Sequence, residues 1–242
     1  MEYDFAIVYF GLTRSTKKVF KSHINNVFNQ LRYNRLTYKT FMHTWKTSDN
    51  KQKVWQNTIE KEIDYDEYKL LYPDFYKIDC QDEFIQTIDM NDYFYKEVWD
   101  KEGDKKHGEW LPGLIKNHLC ALESMKRGLE MVEEFVKVGN KFKYVMFVRP
   151  DVLIRSVLPL QQICVNVCDI CIPNQDHNEG YNDRFAITLY EKAAIYGKRI
   201  DEMAEFRKKN GRIVSEKYVK FIIQKYNLKL GLIDFNFIIV RP

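Results

Sequence analysis

Apolar positions along this chain fall into short unbroken runs separated by longer amphipathic stretches. Phe5-Ala6-Ile7-Val8-Tyr9-Phe10 and Tyr144-Val145-Met146-Phe147-Val148 are continuous apolar or aromatic runs, the pattern of strands covered on both faces. Behind the first run, Val19, Phe20, His23, Ile24, Val27, Phe28 and Leu31 form the apolar side of a predicted helix. Tyr38 to Trp45 alternates partially and predicts a second strand. Strand, helix and strand in that order predict a parallel sheet. The clearest helical period runs from Leu114 to Val138, with Ile115, Leu119, Leu122, Met125, Leu129, Val132 and Val136 at three- and four-residue spacing and Gly139 as its stop. Further along, Val167–Ile172 reads as a strand, Leu189 to Lys209 and Ser215–Tyr226 as helical, and Leu230–Val240 as strand-like.

Residues from about Lys46 to Gly113 break this rhythm. They are polar, rich in Asp, Lys and Tyr, with short helical pieces at Asn57–Glu62 and Asp82–Ile88 and a charged loop from Asp100 to Gly108. This segment is expected to pack over the carboxyl edge of the sheet and help recognise a substrate. No internal repeat or flexible linker is visible, so one α/β domain is the simplest count.

Candidate chemistry gathers where strands end. The run through Val148 stops at Arg149-Pro150-Asp151 and resumes at Val152, because Pro150 lacks a backbone donor and holds Arg149 extended. Asp151 is thereby offered at the carboxyl end of a central strand, where open α/β sheets bind ligands. A carboxylate there can hold a divalent or organic cation, and Arg149 can hold phosphate; an ordinary exposed Arg and Asp at a strand end is the plainer alternative. The first strand ends in Gly11-Leu12-Thr13-Arg14-Ser15-Thr16 before a helix, a geometry that receives phosphate on free amides, although Ser15 or Thr16 also suits a helix cap. A polar loop from Pro173 to Tyr181 leads into Asn182-Asp183-Arg184 and is expected to line a site. His118, in the middle of the long helix, reads as structural.

Charge and cysteine content narrow the classes. The 38 basic and 34 acidic residues nearly cancel to +4, and the clusters Lys105-Lys106-His107 and Arg207-Lys208-Lys209 are short, so nucleic-acid binding is not expected. No apolar run reaches bilayer length, and Met1-Glu2-Tyr3-Asp4 runs straight into a strand without a signal-peptide pattern. The expected setting is a reducing cytoplasm. Cys80, Cys120, Cys164, Cys168 and Cys171 form no disulfide framework. The last three suggest zinc only superficially, because no fourth ligand lies at finger spacing.

Tyr9-Phe10-Gly11-Leu12-Thr13-Arg14-Ser15, Phe41-Met42-His43-Thr44-Trp45, Phe147-Val148-Arg149-Pro150-Asp151 and Asn182-Asp183-Arg184-Phe185-Ala186-Ile187 occur in that order. The combination resembles a group of GT-A-type glycosyltransferases found in large DNA viruses and in bacterial surface-polysaccharide clusters. The similarity spans about Phe5 to Ala194 and is thinnest between Lys46 and Gly113. It implies a Rossmann-like, mostly parallel sheet and a nucleotide-diphosphate sugar donor of UDP or GDP type. It also implies a glycan or glycoprotein acceptor, Mn2+ or Mg2+ bridging the diphosphate, and, for a viral member, host cytoplasm. Residues 46–113 would be its variable acceptor-side segment. On this reading Gly11, Leu12, Thr13, Arg14, Arg149 and Asp151 bind the donor, with Asp151 as metal ligand. Asp183 is the candidate base, or else a salt-bridge partner of Arg184 or a helix cap. His43, Trp45, Asp176, Glu179, Asn182 and Arg184 border the acceptor or pocket. Two departures stand out. Arg149 occupies the place of the first carboxylate of the family's Asp-x-Asp motif and can take over part of the charge neutralisation. No histidine follows His177, where many members carry a late metal ligand. A catalytically silent nucleotide-sugar-binding or scaffolding domain is the alternative, and a nucleotidyltransferase is disfavoured by the lack of a Gly- and Lys-rich phosphate loop.

Overall fold

The structure, a computed structural model, describes residues 1–48, 51–53, 60–94, 112–165, 168–210 and 212–241. The expected α/β architecture is observed as a seven-stranded, mostly parallel sheet flanked by helices. The two long apolar runs become β1 (Glu2–Phe10) and β6 (Lys141–Val148), paired in parallel at the middle of the sheet. On the far side of β1 lie β2 (Tyr38–Lys46) and β5 (Phe75–Cys80), both parallel to it. Beyond β6 come β9 (Phe185–Leu189), antiparallel, then β8 (Ile170–Pro173) and β10 (Leu230–Ile233). The order is β10-β8-β9-β6-β1-β2-β5. Chain progression therefore reverses between β1 and β6, the position at whose carboxyl ends open α/β sheets form a ligand-binding crevice.

Alternate residues of the same strands feed two cores. Phe5, Ile7, Tyr9, Met42, Met146, Phe185 and Ile187 face one side, where they meet Val27, Phe28 and Leu31. Those three lie on a helical stretch made of α1 (Thr16–His23), a π turn (Ile24–Phe28) and α2 (Asn29–Tyr33). The same face is covered by a small antiparallel ribbon of β7 (Val152–Ile154) and β11 (Phe237–Ile239). Short helix α5 (Leu160–Val165) follows β7 and adds Ile163 to this core. Ala6, Val8, Phe10, Phe41, Val145, Phe147 and Ala186 face the other side and meet Met125, Leu129 and Val132. The period-2 split with both faces covered explains the unbroken apolar runs. Each fully buried Phe, Ile or Val contributes about 1.5–3 kcal/mol.

The second face is covered by the long helix α4 (Pro112–Lys137), as its three- and four-residue apolar spacing predicts. Its outer side packs Ile115, Leu119 and Leu122 against Met203, Phe206 and Tyr218. Several sequence expectations need correction. The segment 46–113 does not merely overlie the sheet: it supplies the edge strand β5 and the helix α3 (Gln81–Gln86). The part of Asn57–Glu62 that is described, Glu60–Glu62, is strand β4 and pairs with β3 (Lys51–Lys53) instead of being helical. The charged loop 100–108 lies outside the described residues. The helical stretch expected from Leu189 to Lys209 begins after β9 and is a chain of short 3-10 turns and helices, α6 (Ala193–Gly197) and α7 (Met203–Asn210). The terminal run splits at a turn closed by Phe235 N–H on the Ile233 carbonyl, 3.0 Å, so β10 and β11 join different sheets. Among the described residues no helix is long and apolar enough to cross a membrane.

Candidate functional site at the strand-order reversal

The crevice between β1 and β6 is built by three chain segments that end at one edge. Tyr9 pairs with Val148, and Val148 with Phe185, so the turn after β1, the corner after β6 and the entry to β9 are neighbours. Gly11 turns the chain with φ +97°, and a side chain there would meet open space. Its backbone is thus accessible, and its conformation is one that L-residues resist. The Gly11 N–H donates to Ser124 Oγ on α4 at 2.7 Å, which holds the turn in place.

At the corner after β6, Arg149 grips Asp151 with both arms of its fork: Nε to Oδ1 at 2.9 Å and Nη2 to Oδ2 at 2.6 Å. Arg14, from the β1 turn, reaches across 137 positions to the same Oδ2 with Nε and Nη2, each at 3.3 Å. The carboxylate is 1% exposed, whereas Arg14 and Arg149 are 20% and 24% exposed. The anion is hidden, whereas both arginine side chains stay partly exposed. Burial raises the Asp151 pKa, but Arg149 and Arg14 outweigh it and hold the group below its ordinary value. The two arginines respond in opposite directions. Burial lowers both, yet Asp151 lifts Arg149 above its ordinary value while Arg14 stays below. Arg149 also pushes Arg14 down, and Asp183 adds to the lift on Arg149.

The third segment carries Asn182, Asp183 and Arg184. Asn182 is fully buried and works internally, accepting from Arg184 N–H at 2.9 Å and donating to the Gln175 carbonyl at 3.1 Å. Arg184 donates to Asp176 at 2.9 Å and lies 3.9 Å from Asp183 and 3.8 Å from Glu216. The polar loop before it is tightly wound, with positive φ at Asp176, Asn178 and Glu179. It rests on α8 (Ser215–Lys225), where Gly180 approaches so closely that an added Cβ would lie 1.9 Å from the Glu216 carbonyl oxygen. Burial raises the Asp183 pKa, but His118, Arg184, Arg149 and Arg199 together hold it below the usual carboxylate range. Burial also drives His118 down to about 4, so it is neutral at pH 7 and the arginines keep Asp183 charged there.

Gly11 through Arg14, Arg149, Asp151, Asp176 and Asn182 through Arg184 are therefore gathered along one edge of the sheet. His43 and Trp45, expected at the pocket, lie in the interior instead. Each is at most 1% exposed, because β2 runs beneath α4. His43 Nδ1 is 2.8 Å from Ser124 Oγ and Nε2 is 3.1 Å from Asp79, which Arg127 also holds. Trp45 donates to the Cys120 carbonyl at 3.0 Å. Glu179 points outward and pairs with Lys217. Ser124 and Arg241 join the site without having been expected there. Ser124 is a polar residue inside the apolar stripe of α4, which is a usable signal. Arg241 follows the last apolar run and is returned to the site by β11: Val240 N–H donates to the Asp151 carbonyl at 2.9 Å, and Arg241 shares its electrostatic field with Arg14, Arg149 and Asp151.

The expected divalent cation does not fit this arrangement. Both Asp151 oxygens already accept from guanidiniums, and a cation at either would face two positive groups. At about 4 Å, each unit-charge repulsion near a protein surface costs about 4 kcal/mol, and a divalent ion doubles it. Among the described residues no cluster of three or more His, Cys, Asp or Glu could share a metal ion. Cys168 and Cys171 are in the thiol form, and the Cys164 side chain is outside the described set. A hollow of about 280 Å³ lined by Phe28, Arg32, Tyr38, Thr40, Tyr72 and Asp74 lies at the opposite, amino ends of β2 and β5. Its carboxylate is saturated by Lys39 and Thr40, so it offers no chemistry of its own.

No protein-family model and no curated protein matches the sequence. Among solved structures the chain is similar to mouse xyloside xylosyltransferase 1, crystallised in its apo form. The identity is 7%, the TM-score is 0.40, and the alignment covers 96% of this chain and 85% of that one. A likeness at that level does not define an activity.

Proposed function

We propose that this protein is a glycosyltransferase that binds a nucleotide-diphosphate sugar at the β1–β6 crevice and moves the sugar to a glycan or glycoprotein acceptor. The observation that supports this most is the meeting of guanidiniums and carboxylates from three separate segments at the strand-order reversal, with Arg14 and Arg149 joined on Asp151. Guanidinium forks match phosphate oxygens, and the Gly11 turn leaves room for a nucleotide to approach backbone. The sequence resemblance to GT-A-type glycosyltransferases points the same way. In an inverting displacement the acceptor oxygen bonds to the sugar C1 while the bond from C1 to the phosphate oxygen breaks. The nucleoside diphosphate leaves with that electron pair, and the acceptor proton passes to Asp183. Asp183 suits this because neighbouring arginines keep it ionised.

The direct test is incubation of purified protein with a panel of UDP- and GDP-sugars and glycan acceptors, measuring nucleoside diphosphate released and sugar transferred. Donor binding is read in parallel by thermal shift, where a ligand at about 100 times its Kd adds about 2.7 kcal/mol. Transfer to any acceptor supports the proposal. Binding without turnover favours the silent nucleotide-sugar-binding domain, and no binding at all removes both readings.

A further inference from the structure

We infer that the Arg14–Asp151–Arg149 clamp is itself the diphosphate-neutralising device of the donor site, and that it works without a divalent cation. This rests on the donor-binding reading above and assigns how the phosphates are held. A metal-dependent site needs a carboxylate with oxygens turned outward. Here the relation is inverted, because Asp151 is 1% exposed and both of its oxygens are occupied by the two forks. The partly exposed side chains of the cluster are those of the two arginines. Both guanidiniums share one carboxylate, so the clamp carries one uncompensated positive charge before any ligand arrives. Arg241 brings a further guanidinium into the same field from the far end of the chain.

Asp151 then has a definite task. A pair of neighbouring guanidiniums repel each other, and without an anion between them their long side chains would spread into solvent. The buried carboxylate draws both forks to one point and fixes their planes. Arg14 and Arg149 remain 20% and 24% exposed, so each has N–H groups left over for phosphate oxygens. A guanidinium has five such donors, and each fork spends only its Nε and Nη2 on Asp151. Asp151 is a counterion that preorganises the receptor, and the arginines are its binding surface. The long 3.3 Å contacts of Arg14 make it the arm that turns towards phosphate most easily.

Isothermal titration of UDP and GDP into the full chain, in EDTA and in Mn2+, tests this. Expected is binding in EDTA with Kd within about twofold of that in Mn2+, weakened about tenfold or more between 50 and 500 mM salt because charge attraction is screened. Arg149→Met should weaken binding about tenfold or more, with Arg149→Lys between it and wild type because the charge stays and the fork goes. Asp151→Asn separates the two modes directly and covers the case of an unstable arginine variant. A metal ligand lost there removes cation-assisted binding, at a cost of at least about a hundredfold in Mn2+, and spares whatever binding is seen in EDTA, whereas loss of the clamp's counterion weakens binding to the same extent in EDTA and in Mn2+. Binding that appears only with Mn2+, or a loss in Asp151→Asn confined to the Mn2+ titration, overturns the inference and leaves the donor site standing. Inorganic pyrophosphate binding in EDTA without UDP or GDP binding upholds the clamp and removes the nucleotide-sugar reading. Failure of all three anions to bind overturns both.

Discussion

Arg184 makes its short bond, 2.9 Å, to Asp176 and stands 3.9 Å from Asp183. That difference matters for Asp183, which is 13% exposed on its side chain and is not consumed by a close ion pair. As a base it must be ionised, and its lowered pKa means it is ionised through the whole neutral range. Activity resting on the charged form is present above the folded pKa and is lost only as pH falls through it, below the ordinary carboxylate value of about 3.9. Asp183→Asn is therefore expected to bind nucleotide and stay folded, with a modest loss of stability from the missing charge, while turning over about 10²–10⁴ times more slowly. Near-normal turnover, or a melting loss that accounts for all the missing activity, would remove Asp183 from the chemistry. Asp183 and Asp151 were legible in the sequence as strand-end residues because each sits next to an apolar run. The contact between Arg14 and Asp151 was not, because nothing in local pattern reports a pairing across 137 positions.

At the scale of elements, α4 does more than cover the sheet. Ser124 links the Gly11 turn to the edge of the sheet through a chain of hydrogen bonds. Gly11 N–H donates to Ser124 Oγ, and Ser124 Oγ lies 2.8 Å from His43 Nδ1. The other His43 nitrogen faces Asp79, which Arg127 also holds. Burial holds His43 at about 4, so at pH 7 it is neutral, and the Ser124 hydroxyl donates to the His43 backbone carbonyl at 2.8 Å. Ser124→Ala leaves the Gly11 amide and His43 Nδ1 without this partner. The expected cost is about 1–3 kcal/mol of stability, together with weaker nucleotide binding, because the turn is no longer held. Urea denaturation and titration of nucleotide on the same variant check both halves, and unchanged binding would mean that the turn is rigid without its tether. The helix itself was plain from its spacing. Strand β5 was hidden because the charged residues around it, such as Asp74, Lys77 and Asp79, obey edge-strand needs, not an apolar alternation. His43 and Trp45 misled for a related reason: a polar or aromatic residue at a strand end reads as exposed until the helix lying on that strand is known.

At the scale of the whole molecule, His23, His43 and His118 are buried in neutral form. Burial pulls His23, His43 and His118 each to about 4. In the unfolded chain they take up protons below about 6.5, whereas the folded protein does not until about 4. The unfolded state thus binds more protons across that window, and stability falls as pH drops through it. At pH 5 the loss is as much as about 2 kcal/mol for each histidine. The carboxylates of Asp151 and Asp183 act at lower pH, because their folded pKa values lie below the ordinary range and their contribution disappears only in stronger acid. The midpoint of urea unfolding is expected to fall clearly between about pH 7.5 and pH 5.0. A midpoint that holds constant across that interval would show that these histidines take up protons as readily in the folded protein as in the unfolded chain.

The central place of β1 also bears on how the chain reaches this state. Its partner on one side, β2, follows after a single helical stretch, but its partner on the other, β6, pairs Glu2 with Lys141. Closing a loop of that length is slow compared with forming the first strand–helix–strand unit. During the interval one edge of Phe5-Ala6-Ile7-Val8-Tyr9-Phe10 has nothing beside it, and every residue of that edge is apolar or aromatic. The same run that makes the middle of the finished sheet so stable is, in the half-assembled chain, a sticky margin open to any other molecule caught at the same stage.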